Sequence, residues 1–573
     1  MSVIDWVVLI ITLLAIVVYG IYKSRGTNNI DGFFLGNQSL PWYHVTLSVM
    51  ATQASAITFL SAPGLAYSKG MSFVQFYFGL PLAMIVLCIT FVPIFHRLKV
   101  YTAYEFLEKR FDMKTRALTA FLFLIQRGLS TGITIYAPSI ILSTILNIDT
   151  TYTTLFIGGL VIIYTVYGGT RAVSYTQLLQ MSIIFSGLFV AGIMVVHLLP
   201  GNIGFSDALQ IAGKMGRTNA IDWSFDWNNQ YTVWSGLIGG FFLQLSYFGT
   251  DQSQVGRYLT GASVSQSRLG LLMNGLVKIP MQFLILMIGV LVFAFYQFNQ
   301  PPVFFNSYEL NKIEKSEYNG ELNRIKTDYA RVFDEKQKQV NELNLAIEAD
   351  DEAAINRHRL ILQSADEKTK AIRQEAVDLM LKNDPDADTN DNNYIFLSFV
   401  TRYLPQGLIG LLIAIIFLAS MGSTASALNS LTSTTVIDIY KRFMNKGGTD
   451  NKYLSVSRWT TIGWGMFCVL MALYASKLGN LIEAVNILGS LFYGTILGIF
   501  VVAFYFKKIG GSATFKAALI TEVIVFTFWL TDLMAFLWLN IAGCLILVLI
   551  AWVLEMMSPK APAPEESDLN IAQ

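Results

Sequence analysis

Apolar runs of about twenty residues recur along almost the whole chain, and no other feature restricts its fold as strongly. In lipid, backbone N–H and C=O groups find no partners outside their own segment, so such runs must be helices that cross the bilayer. They fall at 4–22, 45–68, 72–96, 117–146, 152–168, 174–198, 231–250, 270–298, 394–440, 456–475, 480–506, 514–533 and 536–556, thirteen in all. The 394–440 run is too long for one straight span, and its second half, from about Thr432, is expected to continue past the membrane. A hydrophobic share of 54% against 14% charged residues, with a mean hydropathy of +0.50, fits an all-α polytopic membrane protein. The net charge of +1 offers nothing to a nucleic acid.

Basic residues set the expected orientation. Lys23 with Arg25, the stretch from His96 to Arg116, Arg171, Arg257 with Arg268, Lys441 with Arg442, and Lys507 with Lys508 fall on one side of the thirteen-span count. The positive-inside rule makes that side cytoplasmic, with the N-terminus outside, the C-terminus inside and the cell (inner) membrane as the location. Run 4–22 follows no basic residue and reads as a retained span, not a cleaved signal.

Two spans are interrupted. Ser48 to Gly64, SVMATQASAITFLSAPG, brings Thr52, Gln53, Ser55, Thr58 and Ser61 to mid-depth beside the small Ala51, Ala54 and Ala56. The 231–250 run ends in FFLQLSYFGTDQSQVGR, with Gln244, Ser246, Tyr247, Thr250, Asp251 and Gln252. Irregular backbone at membrane depth is tolerable only where it lines a cavity or packs on protein. The first break lies one span into a group of five, and the second opens the next five. That placement predicts an inverted repeat with a binding site between its halves. Small-residue helix packing is the plainer alternative for the first stretch taken alone.

Between the spans lies a polar insertion, 306–393, on the expected outer side. Ile313, Leu322, Ile325, Tyr329, Phe333, Val340, Leu343 and Ile347 recur at three-and-four spacing, and Ile355, Leu360 and Ile361 resume it after a turn at 348–352. This predicts a helical hairpin whose dense charge is a solvated face, a surface that an extracytoplasmic partner could also use. The organisation is then a leading helix and cytoplasmic loop (1–44), a first core repeat and the start of a second (45–305), the insertion (306–393), the remainder of the second repeat (394–506), trailing helices (507–557) and a disordered cytoplasmic tail (558–573).

Catalytic chemistry is not indicated. Cys88, Cys468 and Cys544 sit in apolar runs at no metal-ligand spacing, and His44, His96, His197 and His358 form no constellation with Glu105 or Glu108. No G-x-x-x-x-G-K-[ST] run offers amides to phosphates, which argues against an ATP-driven pump.

Several motifs together resemble the sodium/solute symporter family: SAPGLAY in the first broken span, TAYEFLEKRF at 102–111, YAP at 136–138 with YGG at 167–169, GTDQSQVGRYL at 249–259, and ASMGSTASALNSLTSTTVIDIYKR at 419–442. YAP and GTDQSQVGRYL are most similar to the branch carrying iodide, vitamins and monocarboxylates, while 48–67 and 102–116 also resemble bacterial sialic acid symporters. The resemblance implies the leucine-transporter-like five-plus-five fold and co-transport of Na+ with a small solute across the lipid bilayer. Carried over residue by residue, the family's sodium site falls on the carbonyls of Ala51, Ala54 and Ala419 and on the hydroxyl positions Gly422 and Ser423. Gly422 departs from the pattern by offering only backbone, and Ser420, Thr424 or a water could substitute. Oxygen ligands suit a hard cation. Gln177 stands where many relatives have an aspartate that supports a second sodium.

The solute positions fall on Gln53, Ser55, Thr58, Tyr77, Gln244, Tyr247, Lys278 and Asn486, with Phe76 and Ile482 on the outer side and Tyr247 as inner gate. Tyr77 and Thr58 replace the carboxylate and glutamine of sugar carriers, which disfavours a neutral hexose. Ser55 and Thr58 match a pair that sialic acid carriers place on a carboxylate. Lys278 is either a cationic contact for the solute or half of an ion pair with Glu483 or Asp251, since a mid-membrane charge must face a cavity or a partner. The expected function is sodium-coupled import of a small polar solute by alternating access, with a sialic acid or a monocarboxylate as candidates. A sugar or polyol carrier, and a membrane sensor built on the same fold, are the alternatives.

Overall fold

The computed structural model describes residues 1–24, 38–445 and 447–557. Arg25 and the expected disordered tail, 558–573, lie outside them, as do the side chains of Lys23, the 167–169 motif and Arg171. Among the described residues the chain is helical, with a single isolated bridge between Leu40 and Gly261. Among the described residues eight helices are long and apolar enough to cross a membrane, nine when one bent pair is taken as a span. The other expected spans are helical but shorter, broken or more polar, among them Val3–Ser24 and Asp450–Ala472.

The expected 152–168 and 174–198 spans share one 48-residue helix, Thr150–His197. Tyr164 and Thr176 nevertheless bring their hydroxyls within 3.1 Å. Twelve residues of straight helix would separate them by about 18 Å, so the helix must bend between them into two arms.

The first interrupted span is two helices. Trp42–Gln53 stops at Ala54 and Ser55, and Ala56–Lys69 departs at 61°. Neither Pro nor Gly lies at the break, so tertiary packing rather than local sequence holds it. Glycines let that packing become backbone contact. A Cβ on Gly289, in the helix Val264–Phe298, would overlap Pro63, and one on Gly64 would overlap the Asn392 carbonyl.

The second break lies at Asp251, between Gly240–Thr250 and Gln252–Tyr258. The Asp251 carboxylate accepts from Ser253 N–H at 2.8 Å and caps the second piece. The start of TAYEFLEKRF, with Tyr101 before it, closes over the break: Tyr104 donates to the Thr250 carbonyl at 2.9 Å, while the Gln252 side chain accepts from Ala103 N–H at 3.0 Å and donates to the Tyr101 carbonyl at 2.8 Å. The freed backbone groups are thereby satisfied inside protein.

The 394–440 run divides earlier than its length alone suggested. Ile395–Tyr403 ends before Pro405 and a left-handed Gly407 (φ 86°), and Leu408–Met444 follows, with its last stretch, Thr434–Met444, wound wider. Proline removes a helix donor and glycine alone adopts that φ cheaply, so the interruption falls there.

In the insertion, Asn319–Glu348 and Glu352–Asn383 are joined by three residues and pack together through Leu322, Ile325 and Tyr329 against Leu379 and Met380. Asp391 ties the hairpin to the helical body by accepting from Phe305 N–H at 2.7 Å while pairing with Arg373 at 2.6 Å. All three cysteines are buried.

Candidate functional site

The broken helices, together with Met113–Leu146, Leu408–Met444 and Leu481–Tyr505, enclose a cavity of about 90 Å³. Gln53, Ser55, Thr58, Tyr77, Gln244, Tyr247 and Asn486 all line it, as do Phe76 and Ile482. Seven of the eight expected solute positions therefore converge on one space. Lys278 does not line it: the side chain is fully buried, its Nζ 5.7 Å from the centroid of the Tyr77 ring, with no hydrogen-bond acceptor. Neither expected ion pair forms. Glu483 is taken by Lys69 at 2.8 Å, and Asp251 by Arg127.

Arg127 is the cation that lines the cavity, and sequence reasoning missed it. It pairs with Asp251, whose Oδ2 also accepts from Tyr493 at 2.9 Å, and its guanidinium lies 5.5 Å from the centroid of the Tyr247 ring. The signal was available, because Arg127 is a lone charge inside the apolar 117–146 run. Arg127 Nε, Gln53 Oε1 and both amide ends of Gln244 are buried without partners. Unpaired buried polar atoms are costly, and four of them around one space mark where water or a solute completes the bonding. Tyr247 is held from the opposite side by Gln254 Nε2, which donates to its hydroxyl at 2.7 Å.

The break also frees carbonyls for a cation. In a continuous helix the Ala51 and Ala54 carbonyls would accept from the amides of Ser55 and Thr58. Here Ser55 N–H donates to Gln53 and Thr58 N–H to Ser55, both at 3.0 Å. On the facing helix the Ser423 hydroxyl lies 2.9 Å from the Ala419 carbonyl, and Thr52 bonds Ser426 across the gap at 3.1 Å. The donor set is neutral oxygen throughout, which fits sodium. At Gly422 a Cβ would stand 2.5 Å from Gln180 Oε1, a buried oxygen without a partner, so the Gln180 side chain would have to move to admit the missing hydroxyl. Of the expected substitutes, Ser420 donates to the Thr134 carbonyl at 3.3 Å and the Thr424 hydroxyl is unpartnered.

The sequence model of the sodium:solute symporter family matches residues 33–307 and 384–521, well over half of the chain. The chain belongs to the sodium:solute symporter family. The match omits most of the hairpin insertion. Among relatives, the human sodium/iodide cotransporter is 32% identical over 274 residues, covering 47% of this chain and 42% of that protein. Sodium-coupled monocarboxylate transporter 1 of Xenopus laevis is 26% identical over 501 residues, 87% of this chain and 67% of the relative. In three dimensions, a Na+-coupled sialic acid symporter solved in a substrate-bound outward-open state superposes with a TM-score of 0.75 at 21% identity, covering 98% of this chain and 99% of that one. The likeness establishes the leucine-transporter-like fold that the family resemblance implied. The protein is a multi-pass membrane protein of a transporter family, and sodium is the ion that family couples to.

Proposed function

We propose that the chain imports a small monocarboxylate together with sodium. The observation that carries the reading is Arg127: a guanidinium with one edge on Asp251 and an unpartnered Nε, lining the same cavity as the Ser55 and Thr58 hydroxyls. A carboxylate placed there gains charge-assisted bonds that a hexose cannot supply. Size points the same way, since about 90 Å³ admits roughly six to nine waters, room for a three- or four-carbon acid rather than a sialic acid. A relative of this chain is named for monocarboxylates.

In this reading sodium is bound by the carbonyls of Ala51, Ala54 and Ala419, by the Ser423 hydroxyl and by backbone at Gly422. It fastens the broken helix to Leu408–Met444, while the solute rests on Ser55 and Thr58, just beyond the break. Each ligand favours the same arrangement of one helix pair, and that shared preference is coupling. The basic loops support an orientation with the N-terminus and the hairpin outside the cell membrane, alternating access carrying both ligands inward.

The test is uptake of labelled lactate and pyruvate into proteoliposomes under a sodium gradient, with charge movement recorded. One sodium with one monoanion carries no net charge, so uptake should be sodium-dependent and electroneutral, limited to roughly tenfold accumulation by a tenfold gradient. Sodium-driven uptake of a neutral hexose with no uptake of monocarboxylates would refute the substrate class. Inward current with a monocarboxylate would refute the stoichiometry.

A further inference from the structure

A second and larger cavity, about 230 Å³, lies between the hairpin and the helical body. One wall comes from the hairpin and the other from the ends of Ala56–Lys69 and Val264–Phe298, so seven of its sixteen lining residues lie outside the region matched by the family. Four cations line it, and two are already neutralised: Lys336 by Asp366 and Arg373 by Asp391, each at 2.6 Å. The other two, Arg217 and Lys370, have no carboxylate within ion-pair distance among the described residues.

Arg217 is fixed in place. Its Nη1 donates to the Ser68 carbonyl, its guanidinium lies 4.7 Å from the centroid of the Phe293 ring, and its Nε has no partner. Gln297, 1% exposed, spends its amide N–H on the Phe293 carbonyl at 2.9 Å and leaves Oε1 without a donor. The walls thus present two unbalanced positive charges, two polar groups without partners (Gln297 Oε1 and the Tyr296 hydroxyl), and apolar rings including Phe293 and Phe333. Two negative charges, one hydroxyl and a short carbon spacer match these features, whereas inorganic phosphate supplies no apolar part for the rings.

We infer that this cavity binds a small hydroxylated dicarboxylate, at a site separate from the solute cavity and independent of what that cavity carries. Its position gives it a route to the solute cavity. The Arg217 carbonyl accepts from Met71 N–H at 3.1 Å, next to Gly70 with its left-handed backbone (φ 80°). The segment that begins there, Met71–Tyr77, delivers Phe76 and Tyr77 to the solute cavity.

Calorimetric titration of the purified full chain in detergent, without sodium, tests the site with L-malate as probe. Saturable binding of one equivalent is expected, weakened at least tenfold by Arg217→Gln and by Lys370→Gln and unchanged by Arg127→Gln. Lys370 is exposed, so its variant folds even where the Arg217 variant does not. No saturable malate binding overturns the inference. So does binding lost in Arg127→Gln but kept in Lys370→Gln, which would belong to the solute cavity. Inorganic phosphate binding as tightly as L-malate overturns the dicarboxylate assignment.

Discussion

Replacing Asp251 by asparagine should weaken the empty protein and strengthen its hold on an anion. Asp251 is fully buried and is the carboxylate partner of Arg127. Removing one member of a buried pair leaves the other charge uncompensated, at a cost of about 3–5 kcal/mol. Asparagine still caps the Gln252–Tyr258 helix through Ser253 N–H, so the backbone break should persist. A solute carboxylate on the free edge of Arg127 would lie roughly 6 Å from Asp251, and like charges at that distance repel by about 3 kcal/mol at an effective dielectric of 20. The variant relieves that repulsion, so lactate or pyruvate should bind up to about a hundredfold more tightly, by roughly 1.4 kcal/mol per decade. The assay is survival of monodisperse protein after a heat step, with and without solute, alongside equilibrium binding. The ligand-free variant should aggregate at lower temperature than wild type and regain most of the loss with solute. Adding Arg127→Gln should restore ligand-free stability and abolish the gain. Asp251→Asn that binds monocarboxylates no better than wild type, or that leaves ligand-free stability intact, would refute both the electrostatic account and the anion site.

Ser423→Ala removes a proposed sodium oxygen but keeps a helix-favouring side chain; losing such a bond in a dry site costs about 1–3 kcal/mol, so half-maximal sodium should rise several-fold or more at unchanged protein abundance. Gln180→Leu should raise the sodium requirement as well if its orphan oxygen replaces the hydroxyl missing at Gly422, and an unchanged requirement would leave water as the substitute. In the insertion, burial pushes the Asp388 carboxyl up to about 7, with Glu309 and Asp391 adding repulsion. The folded group then keeps its proton to about pH 7 while the unfolded one loses it near pH 4, so stability at this corner falls as pH rises through that window. Hydrogen exchange around 384–394 should follow that trend, and Asp388→Asn should flatten it. Deleting 307–383 behind a short linker, while keeping Asp391 to Asn393, should leave measurable transport, because every expected solute and sodium position lies elsewhere; normally folded protein with no uptake would show that the hairpin takes part.

What could be read from sequence followed how local the cause was. The hairpin was legible because its helices repeat apolar residues at helical spacing, and its turn needs only three residues. Both transmembrane breaks were legible because polar and small residues cannot be spent at membrane depth without a reason. The break before Leu408 was marked by Pro405 and Gly407 yet was missed, since span length outweighed them. The two membrane cations show where sequence stops. Arg127 and Lys278 are equally isolated in apolar runs, and the family pattern pointed to Lys278. Which of them faces the cavity depends on the rotation of two long helices against their neighbours, and that is set by tertiary packing, not by either run.

The hydrogen bonds around Gln177 bear on how many sodium ions move. Its Oε1 accepts from Ser48 at 2.6 Å, and its Nε2 faces Thr52 Oγ1 and the Gly422 carbonyl, each at 3.3 Å. An aspartate here would offer oxygens to a cation, whereas glutamine turns an N–H group toward the Thr52 hydroxyl, a group outside the proposed sodium ligands. Nearby, the buried Arg257 donates to Ser426 at 2.9 Å, the same hydroxyl that bonds Thr52. A second sodium within roughly 6 Å of that guanidinium would meet about 3 kcal/mol of repulsion at an effective dielectric of 20. Amide and guanidinium act in the same direction: one occupies the acceptors and the other supplies the positive charge. The Thr52–Ser426 bridge joins the broken helix to Leu408–Met444 through protein groups alone, so sodium in the proposed site would add to a contact already made at this point.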